Sequence, residues 1–364
     1  MRLVYSDHRQ DPAAWAVALG ISREAVELYL ASDVIDLHVE SYSWARVCGY
    51  DLRKRHGRGM FGARYYSQVD LPRLREAQVS GAMWSITANP MGTPGSRLAG
   101  FRHGLAGLCD VLASVPEDVQ VVRTVAEYRA ARAAGRHAAF LAVQGGNCFE
   151  RDASALDAAA DDLIVRITLL HMSASRLGQP SSPLRVGWLA GQRQEGLSEF
   201  GRDFVTALNA RRIFVDLAHI NRAGFFDALQ VHDPSLPAIV THTGVDGVNP
   251  CWRNLDDAQL RAIADTGGVI GVVFHSWYLG DRYFFGGGAD RVIDHLAHII
   301  ETVGEDFAAL GSDFDGGIVT PRDMPTCLEL PRLVQLMLDR GWSDGRIRKV
   351  LGGNFLRTLT QLRG

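Results

Sequence analysis

The sequence of 364 residues has few cysteines, no long apolar run and little net charge. Its five cysteines, Cys48, Cys109, Cys148, Cys251 and Cys327, are odd in number and form no Cys-x-x-Cys pair. That argues against a disulfide framework or a thiolate zinc site, and for reduced thiols in a cytoplasmic protein. No stretch of roughly 20 apolar residues occurs, so no membrane span is expected. The residues from Met1 to Gln10 lack an apolar run ahead of a small-residue cleavage site, so no secretory signal is expected. A formal charge of −3 gives no reason to expect nucleic acid or an anionic membrane as the main partner. There is no Gly-x-Ser-x-Gly of a serine hydrolase. Neither Gly145-Gly146 nor Gly286-Gly287-Gly288 is followed by Lys-Ser/Thr, so neither reads as a phosphate loop.

What the chain does have is a repeated alternation of short apolar runs and helical connections. The runs are Val34–His38, Gly81–Thr87, Ala138–Gln144, Leu163–His171, Ile213–His219, Ala238–His242, Gly268–Phe274 and Ala308–Asp313. Helical segments between them include 71–79, 123–134, 198–211 with Ser198 as N-cap, 222–230, 255–266 and 289–303, and two more close the chain over 330–340 and 343–351. Strands alternating with helices imply parallel βαβ units, and eight units close a (β/α)₈ barrel. The expected organisation is a helical lead-in over 1–33 and one barrel over 34–364. Residues 41–69 and 89–100 read as loops. The basic run Arg53-Lys54-Arg55-His56-Gly57-Arg58 reads as a substrate lid or a solvated insertion, with the solvated reading favoured.

The ends of these runs are polar. His38 and Glu40 close the first; alone, such a pair is also common on surfaces. Gln144, His171, His219 and His242 close the third to sixth, and Asp313 the eighth, with Asp315 just behind. In a parallel barrel these ends share one mouth, so residues far apart in sequence converge there. Imidazole and carboxylate ligands suit a divalent ion such as zinc, which lowers the pKa of a bound water and polarises a carbonyl. Asp313 is the candidate for carrying the water's proton to a leaving amine. His103, His137, His232, His295 and His298 fall outside this pattern and read as surface or structural. His275, Trp277 and Tyr278 follow the seventh run as possible pocket lining. Trp188 and Trp252 could close the pocket wall, although packing is the commoner role of Trp.

The motifs together resemble the membrane (renal) dipeptidases, peptidase family M19 of the amidohydrolase superfamily. The resemblance rests on Asp36-x-His38-x-Glu40, 69–75 leading to Met83-Trp84-Ser85, Val143-Gln-Gly-Gly146, Leu169-Leu-His171 and Gly196-Leu-Ser-x-Phe-Gly201. It continues through Val215-Asp-Leu-Ala-His219, Thr241-His242, Arg253-Asn254, Gly311-Ser-Asp-Phe-Asp-Gly316 and Gly352-Gly-Asn-Phe-Leu-Arg357. It implies a barrel that carries two zinc ions and hydrolyses dipeptides, with a homodimer as the expected assembly. His38 and Glu40 would hold one metal with Asp313 close by, and His219 and His242 the other. His171 would orient the substrate carbonyl, and Arg253 would receive the substrate carboxylate, a task that suits its planar fork.

Two positions depart from the family pattern. Glu40 stands where the family has Asp, still an oxygen ligand. Gln144 stands where the family has the Glu that bridges both metals. A neutral amide offers one carbonyl oxygen and a cation-repelling NH₂, so it cannot be the usual anionic bridge. Two ions, one ion or none all remain open from the sequence. The leading functional reading is a metal-dependent dipeptidase-like amide hydrolase. The second is a repurposed family member in a biosynthetic or tailoring pathway with an altered site, and the third is a non-catalytic binding protein.

Overall fold

The computed structural model describes residues 2–57, 59, 62–151, 154, 156, 163–181, 196–281 and 287–364. Its strands are β1 (Ile35–Val39), β2 (Gly81–Thr87), β3 (Val119–Val121), β4 (His137–Gln144), β5 (Ile164–Thr168), β6 (Phe214–Asp216), β7 (Val240–Thr243), β8 (Ile270–Val272) and β9 (Ala308–Leu310). All pairings between them are parallel. One sheet runs β1-β2-β4-β5-β6 and the other β7-β8-β9. Single parallel bridges at Asp216↔Ile239 and Val39↔Phe314 join the sheets at both edges and close the expected barrel. The short β3 pairs with the first residues of β4, along the edge that β5 takes further up.

The strands read as apolar runs because both faces are covered, by side chains in the barrel and by helices outside. Every residue of β1, β4 and β5 is buried. Local signals set the helix ends. Ser198 caps Glu199–Ala210 by accepting from the Gly201 N–H, and Asp256 with Gln259 forms a capping box on Asp257–Asp265. Helices Pro12–Leu19 and Arg23–Leu30 pack on each other and, through a bond from the Ser22 N–H to Gln335, on Pro331–Asp339. Among the described residues, no helix is long and apolar enough to cross a membrane.

Two segments differ from the sequence expectation. Residues 89–100 are not a continuous loop, because the helix Pro94–Ala113 begins within them. Thr93 caps it and Pro94 sits in the first turn, where a missing N–H costs nothing. Its glycines serve close packing: a Cβ on Gly104 would lie 2.9 Å from Ile86 Cγ2 of β2. Residues 41–69 likewise begin with a helix, Ser41–Cys48, which stops at Gly49 in the left-handed region. The basic run is a surface feature. Arg53 pairs with Asp51 at 2.8 Å, Arg55 pairs with Glu76, and His56 stacks on Tyr50. Arg58, Trp188 and most of 179–194 lie outside the described residues.

His137, read from the sequence as surface or structural, opens β4 and is fully buried. Its Nε2 accepts from the Trp84 indole N–H at 3.1 Å, so the ring proton sits on Nδ1, 2.8 Å from the Val79 carbonyl. Burial pushes its pKa down to about 4. The unfolded chain therefore takes up this proton first, and the stabilisation present above pH ~6.5 is lost as pH falls toward 4. Urea unfolding at pH 7 and 4.5 is expected to show the parent losing about 2–3 kcal/mol more than a His137→Gln variant. Equal losses would remove His137 from the acid response.

Candidate metal centre

The first ligand candidates are positioned by β1. His38 and Glu40 are two residues apart and share a side, as strand geometry requires. The backbone stitches the chain after β9 to this strand. The Asp313 N–H donates to the His38 carbonyl at 3.0 Å, and the Glu40 N–H to the Phe314 carbonyl at 2.9 Å. Asp36 reinforces the seam by accepting from the Ser312 N–H at 2.9 Å and from its hydroxyl. Asp313 and His219 both have left-handed backbone, with φ of 61° and 65°, which turns their side chains at the strand ends.

The result is a compact buried cluster. His38 Nε2 lies 3.1 Å from Glu40 Oε1 and 3.5 Å from Asp313 Oδ1, at ion-pair distance but without an aligned hydrogen bond. The His38 and His242 rings stack with centroids 3.9 Å apart. His219 Nε2 is 2.8 Å from His242 Nε2. One ligand atom each from His38, His242 and Asp313 lies within 4.8 Å of the others. His171 stands edge-on to His219, with ring centroids 4.8 Å apart, and its Nδ1 is buried without a partner.

Electrostatics favour neutral imidazoles and an uneasy pair of carboxyls. Burial holds His219 and His242 well below the ordinary imidazole pKa, and pushes His171 down to about 4. Neutral rings keep the lone pairs that metal binding requires. Burial, and next the neighbouring Glu40, push Asp313 well above the usual carboxylate range. Burial would raise Glu40 too, but its contacts with His38 and Thr87 hold it below the ordinary value. This donor set fits a divalent cation: neutral nitrogens and carboxylate oxygens converge, and several inward-facing atoms have no protein partner.

A sequence model of the membrane dipeptidases, peptidase family M19, matches residues 22–363. The chain belongs to this family. The solved structure of dipeptidase AC, a metallopeptidase of family M19, is 26% identical with a TM-score of 0.81, covering 91% of this chain and 98% of that one. A metallopeptidase from Rhodobacter sphaeroides, solved with a phosphinate mimic of the dipeptide L-Ala-D-Ala, is 24% identical with a TM-score of 0.78, covering 91% and 99%; at that identity the likeness concerns the fold. An uncharacterized protein in the pqqA 5′ region of Klebsiella pneumoniae is 36% identical over 166 residues. That match spans 45% of this chain and 60% of the relative's length. Family and fold agree: the chain has the barrel of its M19 relatives.

Each residue singled out from the sequence of this family member can now be located. His38, Glu40, Gln144, His171, His242, Arg253 and Asp313 are buried, and His219 is partly buried. Gln144 ends β4, and its Oε1 has no hydrogen-bond partner. Arg253 donates from Nη2 to the His242 carbonyl at 2.6 Å, while its Nε is buried and unpartnered. Asp315 does not join the cluster; it accepts from the Gln68 and Val69 N–H groups and from the Ser41 hydroxyl, fixing the loop beneath. His275 accepts from the Val319 N–H and packs edge-on against Tyr278. Trp252 and Trp277 are 45% and 58% exposed, so neither is a buried wall.

Sequence reasoning missed Arg166 and Asp216. Arg166 sits in the middle of β5, fully buried, with Nη1 3.3 Å from Asp216 Oδ2 and Nη2 2.8 Å from His38 Nδ1. Asp216 also accepts from the Thr168 and Thr241 hydroxyls. The signal was present: a charged residue inside an otherwise apolar parallel strand needs a buried partner. The register Thr168↔Asp216 brings that partner alongside.

Proposed function

We propose that the chain is a metal-assisted amide hydrolase acting on dipeptides or related small amides that carry a free carboxylate. The observation that carries this reading is the buried convergence of His38, His242 and Asp313 at one barrel mouth, with His219 against His242 and inward atoms lacking protein partners. A divalent ion such as zinc, held among these residues, would activate water and polarise the scissile carbonyl. Arg253, with its unpartnered Nε, would receive the substrate carboxylate and so fix which amide lies over the cluster. His171, neutral and with a free Nδ1, would hydrogen-bond the substrate carbonyl as charge develops on its oxygen. Asp313, as the carboxylate, would take the water's proton and pass it to the leaving amine.

Incubation with a panel of L-L and L-D dipeptides in the presence of Zn²⁺, Mn²⁺ or Co²⁺ is expected to give turnover that chelation abolishes. An absence of turnover with every metal would defeat the reading. A second reading, a family member reassigned to a biosynthetic or tailoring step, is favoured by one observation: Gln144 brings a neutral amide where the family bridge is anionic. Ordinary dipeptidase rates would rule it out.

A further inference from the structure

We propose that the closed end of the barrel carries an oxyanion site, built by Arg9, Arg75, Arg132 and Arg136, that takes one phosphate group. These four side chains line one cavity of about 110 Å³, partly open to solvent, and none of its lining residues is acidic. The space is well above the ~10–15 Å³ that a single water needs. Ser32, Ser80 and Arg136 on its wall stand shortly before β1, β2 and β4. In a parallel barrel those strand ends lie on the face opposite the mouth, so the cavity is separate from His38, His242 and Asp313.

The partners of the four guanidiniums divide them into two pairs. Arg9 holds Asp7 through Nε at 2.8 Å and Nη2 at 2.7 Å, and Arg132 pairs with Asp33. Those two have a counter-charge in contact. The other two do not. Arg75 is 5% exposed, and its Nη2 donates to neutral oxygens, the Tyr5 hydroxyl at 3.2 Å and the Gly135 carbonyl. Its Nε is buried without a hydrogen-bond partner. Asp118 Oδ1 stands 4.0 Å from that Nε, beyond hydrogen-bond reach, and the other Asp118 oxygen accepts from the Leu3 N–H at 2.9 Å. Arg136 Nη1 reaches the neutral Gln120 amide oxygen at 3.4 Å, and among the described residues Arg136 has no ion pair.

A guanidinium has only donors, and a buried donor without an acceptor is costly. A wall of this kind calls for a ligand made of acceptors. A phosphate group brings three strong acceptor oxygens and a charge near −2, and its oxygens match the planar fork of arginine. The four arginines come from separate pieces of chain: the turn His8–Gln10 of the lead-in, the helices Leu71–Glu76 and Val125–Ala133, and the residue just before β4. A phosphate among them therefore clips the lead-in to the base of the barrel. Its effect is on the hold between these segments and not on the chemistry at the mouth.

Two measurements test this, and neither reads hydrolysis, so the outcome is independent of the dipeptide assay. The first is calorimetric titration at constant ionic strength, with inorganic phosphate in one arm and glycerol 3-phosphate in the other. The parent is expected to bind one equivalent with a Kd of about 1 mM or tighter. Binding of the ester as tightly as the free ion would identify an organic phosphate as the ligand, and binding of the inorganic ion alone would identify free phosphate; both support the site. Arg136→Gln removes a half-buried side chain that has no ion pair, so the variant should fold, and it is expected to bind about 10-fold more weakly or worse. No binding of either ligand by the parent would overturn the proposal. Unchanged binding by the folded variant would do the same, because the anion would then sit elsewhere. The second measurement needs no variant. Phosphate is expected to slow hydrogen exchange at the backbone amides of 8–10 and 132–136 in the parent, and unchanged exchange in both segments would overturn the proposal.

Discussion

Asp313→Asn is expected to lower kcat/KM for the best dipeptide by about 10²–10⁴-fold, the range ascribed to a positioned acid–base group. Asparagine is the informative choice because position 313 has φ of 61°, a conformation that Asn tolerates and Ala does not. The backbone bonds from the 313 N–H to the His38 carbonyl and from the Gly316 N–H to the 313 carbonyl survive the change. Stability should hold or rise, since the substitution replaces a buried carboxyl crowded by Glu40 with a neutral amide. Thermal unfolding and zinc content measured alongside the kinetics separate the proton-carrying role from metal retention. A variant that keeps its metal and loses turnover fits the proposed role. Unchanged turnover would remove Asp313 from the chemistry.

The barrel was legible because its strands are short apolar runs at intervals that the connecting helices explain, and Gly81–Thr87 was read to the residue. The mouth was legible for a related reason. In a parallel barrel the strand end is a fixed place, so His219 and His242 could be brought together without any local motif. What escaped was whatever depends on a side chain's partner in space. Residues 94–100 looked like a loop from their Pro and Gly content, yet Thr93 and Pro94 start a helix whose Gly104 packs against Ile86 of β2. Arg166 was hidden inside a strand taken as apolar, and its meaning appears only beside His38 and Asp216, 128 positions away in the first case. Asp315 shows the converse: it lies next to the cluster in sequence, but its carboxylate is consumed by the backbone at Gln68 and Val69.

The same helix carries the largest expected effect on stability. Arg97 and Glu150 form an ion pair at 2.6 Å with both side chains fully buried. Arg97 also donates to the carbonyls of Asn89 and Pro90 and to the Ser173 hydroxyl. Glu150 accepts from the Arg176 N–H at 2.9 Å. One guanidinium thereby ties the chain after β2 to the chain after β4 and the chain after β5. Arg97→Met keeps much of the buried stem and leaves Glu150 as an unpaired buried charge, which costs about 3–5 kcal/mol when one partner of such a pair is removed. Adding Glu150→Gln should recover most of that loss, because a neutral amide oxygen can still accept from Arg176. Urea unfolding of the parent, the single variant and the double variant checks both statements. If the double variant is as unstable as the single, the cost lies in the severed loop contacts and not in the stranded charge. In that case the mouth should also loosen around His171, and KM should rise along with the loss of stability.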